Sequence, residues 1–183
     1  MNRHHRLALT AVLMALACPS AASATSTGNC SGARLQPKRS NLETVTNATI
    51  CLINRARAAH GLKALLPNGA LDKSAQSESH DMRVDHYFGH DSPTGLTPRQ
   101  QVLASPYGQG VSDVAAAQSI AWGEGSESTP REIVIAWMAS PSHRVLLLGK
   151  SYRDVGVGVS LGNPHGSRDA IYTLDLASRK GKP

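Results

Sequence analysis

Imidazole and carboxyl groups are the side chains through which this chain could do chemistry. The stretch His86-Tyr87-Phe88-Gly89-His90-Asp91-Ser92-Pro93 places two histidines four residues apart and holds the only phenylalanine of the protein. On a helix that spacing would aim both rings at one metal ion. Gly89 and the aromatic pair argue instead that any helix has ended, so His90 projects from a loop beside Phe88. His143 follows Ser140-Pro141-Ser142, a helix-opening sequence, and so falls in a first turn where backbone N–H groups face outward. Glu124 lies between Gly123 and Gly125, where the backbone can bend closely. If these three met, two imidazoles and a carboxylate would suit Zn²⁺ or another divalent ion, with water completing the shell. They could equally form a hydrogen-bonded network in which each carboxylate raises the pKa of its neighbouring histidine. Spacing alone does not say that they meet.

The other histidines carry less. His60 and His165 neighbour glycines at element ends, and His80 and His86 lie on or near the wet side of a helix, so all four read as solvated. Glu78 falls on the apolar stripe of that helix, either at its border or lining a pocket. No His-Glu-x-x-His occurs, which removes the simplest zinc-protease reading. Gly158-Val159-Ser160-Leu161-Gly162 matches the nucleophile elbow of serine hydrolases, but that device needs a helix after the serine. Here a turn and a strand follow, and no histidine comes after Asp169 or Asp175, so the segment reads as one strand of a hairpin.

These groups are positioned by elements that the hydrophobic pattern makes visible. Val45, Ala48, Leu52, Ala56 and Ala59 recur at helical spacing from Glu43 to His60, and Gly61 ends the run. Asn68 caps a second helix reaching about Asp85, with Leu71, Ala75 and Met82 on one face. Thr97-Pro98 and Thr129-Pro130 each pair a capping threonine with proline at the first helical position, and Ser140-Pro141 opens a short helix carrying His143. Val155, Val157 and Val159 alternate with small residues, Asn163-Pro164-His165-Gly166 turns, and Ile171 to Leu176 returns. Helices first and a hairpin last predict an α+β fold with helices packed on a small antiparallel sheet.

The 183 residues carry 19 Lys and Arg against 13 Asp and Glu. Residues 1–24 read as a signal peptide: Arg3 and Arg6, an apolar run from Leu7 to Ala17, then Ala22-Ser23-Ala24 for cleavage. The run is too short to span a bilayer, which takes about 20 residues. Without Arg3 and Arg6 the net charge is about +4, with no dense basic stripe, so nucleic acid is not an expected partner. Cys18 leaves with the signal, and Cys30 and Cys51 are then most simply one disulfide in an exported chain. Closing a loop of about twenty residues stabilises by roughly 3 kcal/mol. The expected organisation is a polar arm over 25–42, one domain over 43–177 and a basic tail over 178–183, secreted or held at the cell envelope and monomeric.

Six motifs in order resemble a known family. Leu52-Ile53-Asn54-Arg55-Ala56-Arg57 with Gly61-Leu62 is similar to its opening helix, and Tyr87-Phe88-Gly89-His90-Asp91-Ser92-Pro93 to its "YFSH-SP" corner. Trp122-Gly123-Glu124 resembles "GEN", and Ala136 to Arg144 resembles "AWM-SPGHR". Val155 to Val159 matches "IGVGV", and Tyr172-Thr173-Leu174-Asp175 echoes "WTQDF". Over roughly residues 45–177 the chain resembles the bacterial SCP-like branch of the CAP superfamily, named for cysteine-rich secretory proteins, antigen 5 and pathogenesis-related proteins. The resemblance implies a three-layer α-β-α sandwich whose central cleft gathers His90, Glu124 and His143. Ser140 stands where animal and plant members often carry a second Glu, so Asp175 is the expected extra carboxylate. Gly125 replaces the usual Asn, and Leu174 and Leu176 flank Asp175 in place of Gln and Phe. The implied function is binding of a small ligand, a lipid or an envelope component, or of a divalent ion such as Zn²⁺ through His90 and His143. The alternatives are a metal-assisted hydrolase with Glu124 as base, and a structural or protein-interaction domain; a binding role is weighted above an enzyme.

Overall fold

The computed structural model describes residues 29–162, 165 and 169–179. The signal segment, the turn residues Asn163-Pro164 and the chain beyond Arg179 lie outside the described residues. Five helices enclose one sheet: α1 (Leu42–Ala59), α2 (Gly69–Val84), α3 (Pro98–Ala104), α4 (Pro130–Ala139) and α5 (Pro141–Leu147), with β1 (Leu66–Pro67), β2 (Val114–Gly123), β3 (Asp154–Leu161) and β4 (Ala170–Arg179). The sheet order is β1-β3-β4-β2.

The strand period of two sorts the sheet into two faces. Val155, Val157 and Val159 of β3 lie opposite Leu176, Leu174 and Tyr172 of β4. These six residues form the main core with Val45 and Ile53 of α1, Ile133 and Trp137 of α4, and Leu147 of α5. The other face meets α2 and α3. There Leu71 packs with Val102, Tyr107 and Ala177, and Met82 packs with Ile120 and Ile171. The result is the α-β-α sandwich that the resemblance implies.

The sheet differs from expectation in two ways. It is mixed, because β1 runs parallel to β3 over Leu66 and Pro67. It also contains β2, ten residues antiparallel to β4 from Val114 to Gly123, which hydrophobic patterning does not announce. Ala115-Ala116-Ala117 carries little strand propensity of its own, so pairing with β4 decides the conformation. Strand β4 also continues through Ser178 and Arg179, two residues past the expected edge of the domain.

Helix α2 sits unusually near the sheet because glycine faces it. A Cβ at Gly156 would lie 2.2 Å from the Leu71 carbonyl carbon, and one at Gly158 2.2 Å from that of Ala75. Close approach lets α2 side chains reach the outer edge of β3 beyond the short β1. The Val157 N–H donates to Asp72 Oδ1 at 2.9 Å, and the Val159 N–H to Gln76 Oε1 at 3.0 Å. The match is geometric: four helical residues advance about 6 Å and two strand residues about 6.6 Å.

The arm before α1 is tied down by a disulfide between Cys30 and Cys51, 21 residues apart, as the cysteine count predicts. At the far end of α1, the fully buried Arg57 donates to the carbonyls of Lys63, Leu147 and Gly149 at 3.0, 2.7 and 2.9 Å. Its desolvated guanidinium, lowered in pKa by burial, thereby satisfies carbonyls at the end of α5.

Candidate functional site

The His86–Pro93 corner is a helix terminator. Asp85 is the C-cap of α2, and His86 takes a left-handed φ of 53°. The Tyr87 N–H then returns to the Met82 carbonyl at 3.2 Å, and the two side chains pack together. This is a Schellman closure with histidine where glycine is usual. It settles the His86/His90 spacing: the helix stops before His90, and the two rings do not share a helical face.

The turn delivers two groups to the sheet. Tyr87 donates its hydroxyl to Glu78 Oε1 at 2.9 Å. Glu78 is buried on the sheet side of α2, lining a pocket rather than standing at a border. Burial pushes its carboxyl up to about 7; the Tyr87 hydrogen bond opposes this, and the nearby Asp81, Asp175 and Asp91 charges reinforce it. The Tyr87 hydroxyl is in turn pushed up by desolvation and by its acceptor.

His90 anchors a chain of amides. Its Nδ1 lies 3.0 Å from Gln118 Oε1, and the Gln118 amide nitrogen donates to Asp175 Oδ1 at 3.3 Å and to Gln101 Oε1 at 3.2 Å. The Gln101 nitrogen donates to the carbonyls of His90 and Leu96, both at 2.9 Å. With Gln118 presenting its oxygen to the ring, Nδ1 is the donor of this bond. Asp175 lies in register between Gln118 of β2 and Gly156 of β3, and is fully buried. Burial pushes it up to about 6, against the pull of the Ser74 hydroxyl and the Gln118 amide. Its Oδ2 has no hydrogen-bond partner among the described residues, so the Ser74 hydroxyl lies near without completing a bond to that oxygen.

His143, half-buried in the first turn of α5, is lowered in pKa by desolvation and then by the charge of His90. Glu124 does not join them by any bond. It is exposed ahead of a 3₁₀ turn over residues 125–128, and its carboxylate makes no hydrogen bond or ion pair among the described residues. Its glycine neighbours serve the turn: a Cβ on Gly123 would meet the Glu127 carbonyl oxygen at 2.4 Å, and Gly125 has φ of +50°. Ser140 caps α5, its hydroxyl 3.1 Å from that of Ser142. Among the described residues, no three His, Cys, Asp or Glu side chains are grouped to hold a metal ion.

A pocket of about 350 Å³ opens beside this network, with Ser74, Ser77, Glu78, Asp81, Ser92 and Gln101 among its walls. Sequence reasoning missed Gln118 and Gln101. Neither sits in a motif, and an amide in an alanine-rich run carries no periodic signal. Glu78 could be found because a carboxylate on an apolar stripe is anomalous.

Comparisons agree with the architecture. The uncharacterized protein YkwD of Bacillus subtilis (strain 168) is 38% identical over 107 residues, 58% of this chain and 39% of the relative. The chain thus spans about two fifths of that relative's length. An extracellular protein containing an SCP domain from Bacillus anthracis is similar at TM-score 0.60 and 27% identity, covering 79% of this chain and 44% of that one. An outer surface protein of Borrelia burgdorferi superposes at TM-score 0.60 with 20% identity, over 72% of this chain and 90% of that one, a likeness of fold. The model of the CAP family matches residues 51–176, the span running from the disulfide cysteine in α1 to the strand that holds Asp175, and on that match the chain belongs to the cysteine-rich secretory protein family.

Proposed function

We propose that this CAP domain is exported to the cell envelope and there binds a small polar, hydroxyl-bearing ligand in the pocket between α2, α3 and the His90 corner. The observation that carries the reading is the hydrogen-bonded chain His90–Gln118–Asp175 with Gln101, held rigid against a pocket whose walls offer hydroxyls, carboxyls and an amide. Such walls supply donors and acceptors in about equal measure, which suits the hydroxyl and amide groups of a saccharide better than an alkyl chain. Export is supported by the signal-like start of the sequence and by the extracellular and outer-surface descriptions of the similar bacterial proteins.

For Zn²⁺ or another divalent ion, neither His90 nor His143 belongs to a group of three His, Cys, Asp or Glu side chains among the described residues. The reading therefore places an organic ligand in the cleft and assigns no hydrolytic step to Glu124. The test is a chemical-shift titration of the protein with a chitin disaccharide, repeated with Zn²⁺ and with a saturated fatty acid. Saccharide-induced shifts confined to Ser74, Ser77, Ser92 and Gln101, and lost in Gln118→Leu, support the reading. Shifts produced only by Zn²⁺ at His90 and His143, or only by the fatty acid, overturn it.

A further inference from the structure

A second cavity, of about 800 Å³, shares no lining residue with the pocket beside Glu78. It is bounded by the turn from α1 to β1, the turn after α5 and the end of β4. Its walls carry Lys63, Lys150, Arg153 and Arg179, with Leu66 and Tyr152 between them, and none of the described residues lining it is acidic. Lys63, Lys150 and Arg153 are exposed. The ion pairs among the described residues, Arg99 with Asp113 and Arg131 with Glu132, lie elsewhere. Asp154, which follows Arg153, is engaged by the Tyr107 hydroxyl at 2.7 Å, and the Arg179 guanidinium lies 4.6 Å over the same ring.

The backbone segments from which these cations extend are tied together by hydrogen bonds. Buried Arg57 holds the Lys63 carbonyl and the Gly149 carbonyl, one residue before Lys150, on a single guanidinium. The Arg153 carbonyl accepts from the Leu66 N–H at 2.9 Å, which fixes the backbone of the third cationic residue against β1. Like charges gathered on one surface without carboxylates repel, and an anion turns that repulsion into attraction. Arginine forks and lysine point charges together suit phosphate oxygens, while Leu66, 49% exposed, and Tyr152 offer apolar surface to whatever the phosphate is attached to.

We infer that this cavity is a binding site for a phosphate-bearing anion, taken either free or as a lipid headgroup. The test is calorimetric titration of the full chain with inorganic tripolyphosphate, beside Lys150→Glu/Arg153→Glu and Lys38→Glu/Arg39→Glu. The second pair makes the same change in charge at exposed positions of the arm. Binding weakened at least about tenfold (about 1.4 kcal/mol) in the cavity variant, and by less than about threefold in the arm variant, supports the site. Lys63→Gln gives an independent reduction, which keeps the test decisive if the double variant folds poorly. Equal losses in both double variants would mean diffuse charge and overturn it, as would failure of the unmutated protein to bind tripolyphosphate or phosphatidylglycerol vesicles. Where the site holds, competition between vesicles and tripolyphosphate identifies a headgroup, and tripolyphosphate binding without vesicle binding identifies a free phosphate.

Discussion

Replacing Glu78 by glutamine should make the protein more stable in alkali while leaving it unchanged in acid. Burial holds this carboxyl at about 7 against an ordinary 4.5. Each pH unit of that difference is worth about 1.36 kcal/mol, so the charged form costs at most about 3 kcal/mol. Water reaching the group through the pocket reduces this to roughly 2 kcal/mol. The sign follows from proton counting. Between about 4.5 and 7 the native state holds a proton that the unfolded chain has lost, so stability falls as pH rises through that window and is fully penalised above it. Glutamine keeps an acceptor for the Tyr87 hydroxyl and never ionises. Urea unfolding from about pH 4 to about pH 8 should therefore give curves that coincide at the acid end and separate by roughly 2 kcal/mol at the alkaline end, the variant being the more stable. Asp175, pushed up to about 6, leaves a shallower slope at lower pH in both proteins. Parallel curves, or a variant less stable at the alkaline end, would refute the claim that Glu78 is held in a desolvating site.

Three further outcomes are expected. His86→Gly should relieve the left-handed backbone at the end of α2 and raise stability by about 0.5–1 kcal/mol, read as a higher urea midpoint at constant slope. Gly158→Ala should force α2 off the sheet and cost about 3 kcal/mol or more, seen as a large fall in melting temperature, because the new methyl meets the Ala75 backbone rather than a side chain that can move. Removing the Cys30–Cys51 bond with paired serines should lower stability by about 3 kcal/mol under non-reducing conditions and abolish the sensitivity of the melting temperature to reductant.

The sequence is most readable where one segment fixes its own conformation. Asn68 accepts hydrogen bonds from the Ala70 and Leu71 N–H groups, as its place before the apolar stripe of α2 predicts. Thr97-Pro98, Thr129-Pro130 and Ser140-Pro141 open α3, α4 and α5. What escapes is whatever depends on a distant partner. Strand β2 exists because β4 pairs with it along ten residues, and β1 is a two-residue strand ending in Pro67, made by its contact with β3. The site divides along the same line. The end of α2 before His90 can be read from Gly89 and the aromatic pair, whereas the amide bridge from His90 to Asp175 is a meeting of loop, β2 and β4 that no spacing encodes. Glu124 shows the reverse: its glycine-flanked motif is conspicuous in the sequence, yet the glycines are explained by the turn they make.

The bonds from Asp72 and Gln76 to β3 also bear on how copies of this domain can meet. An uncovered strand edge is a template on which a second sheet can grow, the usual route to runaway β-assembly. Here two side chains of α2 occupy the donors that an incoming strand would need, with Gln76 additionally donating to Ser160 Oγ at 3.2 Å. The helix thus impersonates a fifth strand while offering no edge of its own. On that flank the sheet is sealed against extension by the same glycine-permitted contact that brings Glu78 to its pocket, so a substitution that lifts α2 would expose an adhesive edge as well as disturb the site.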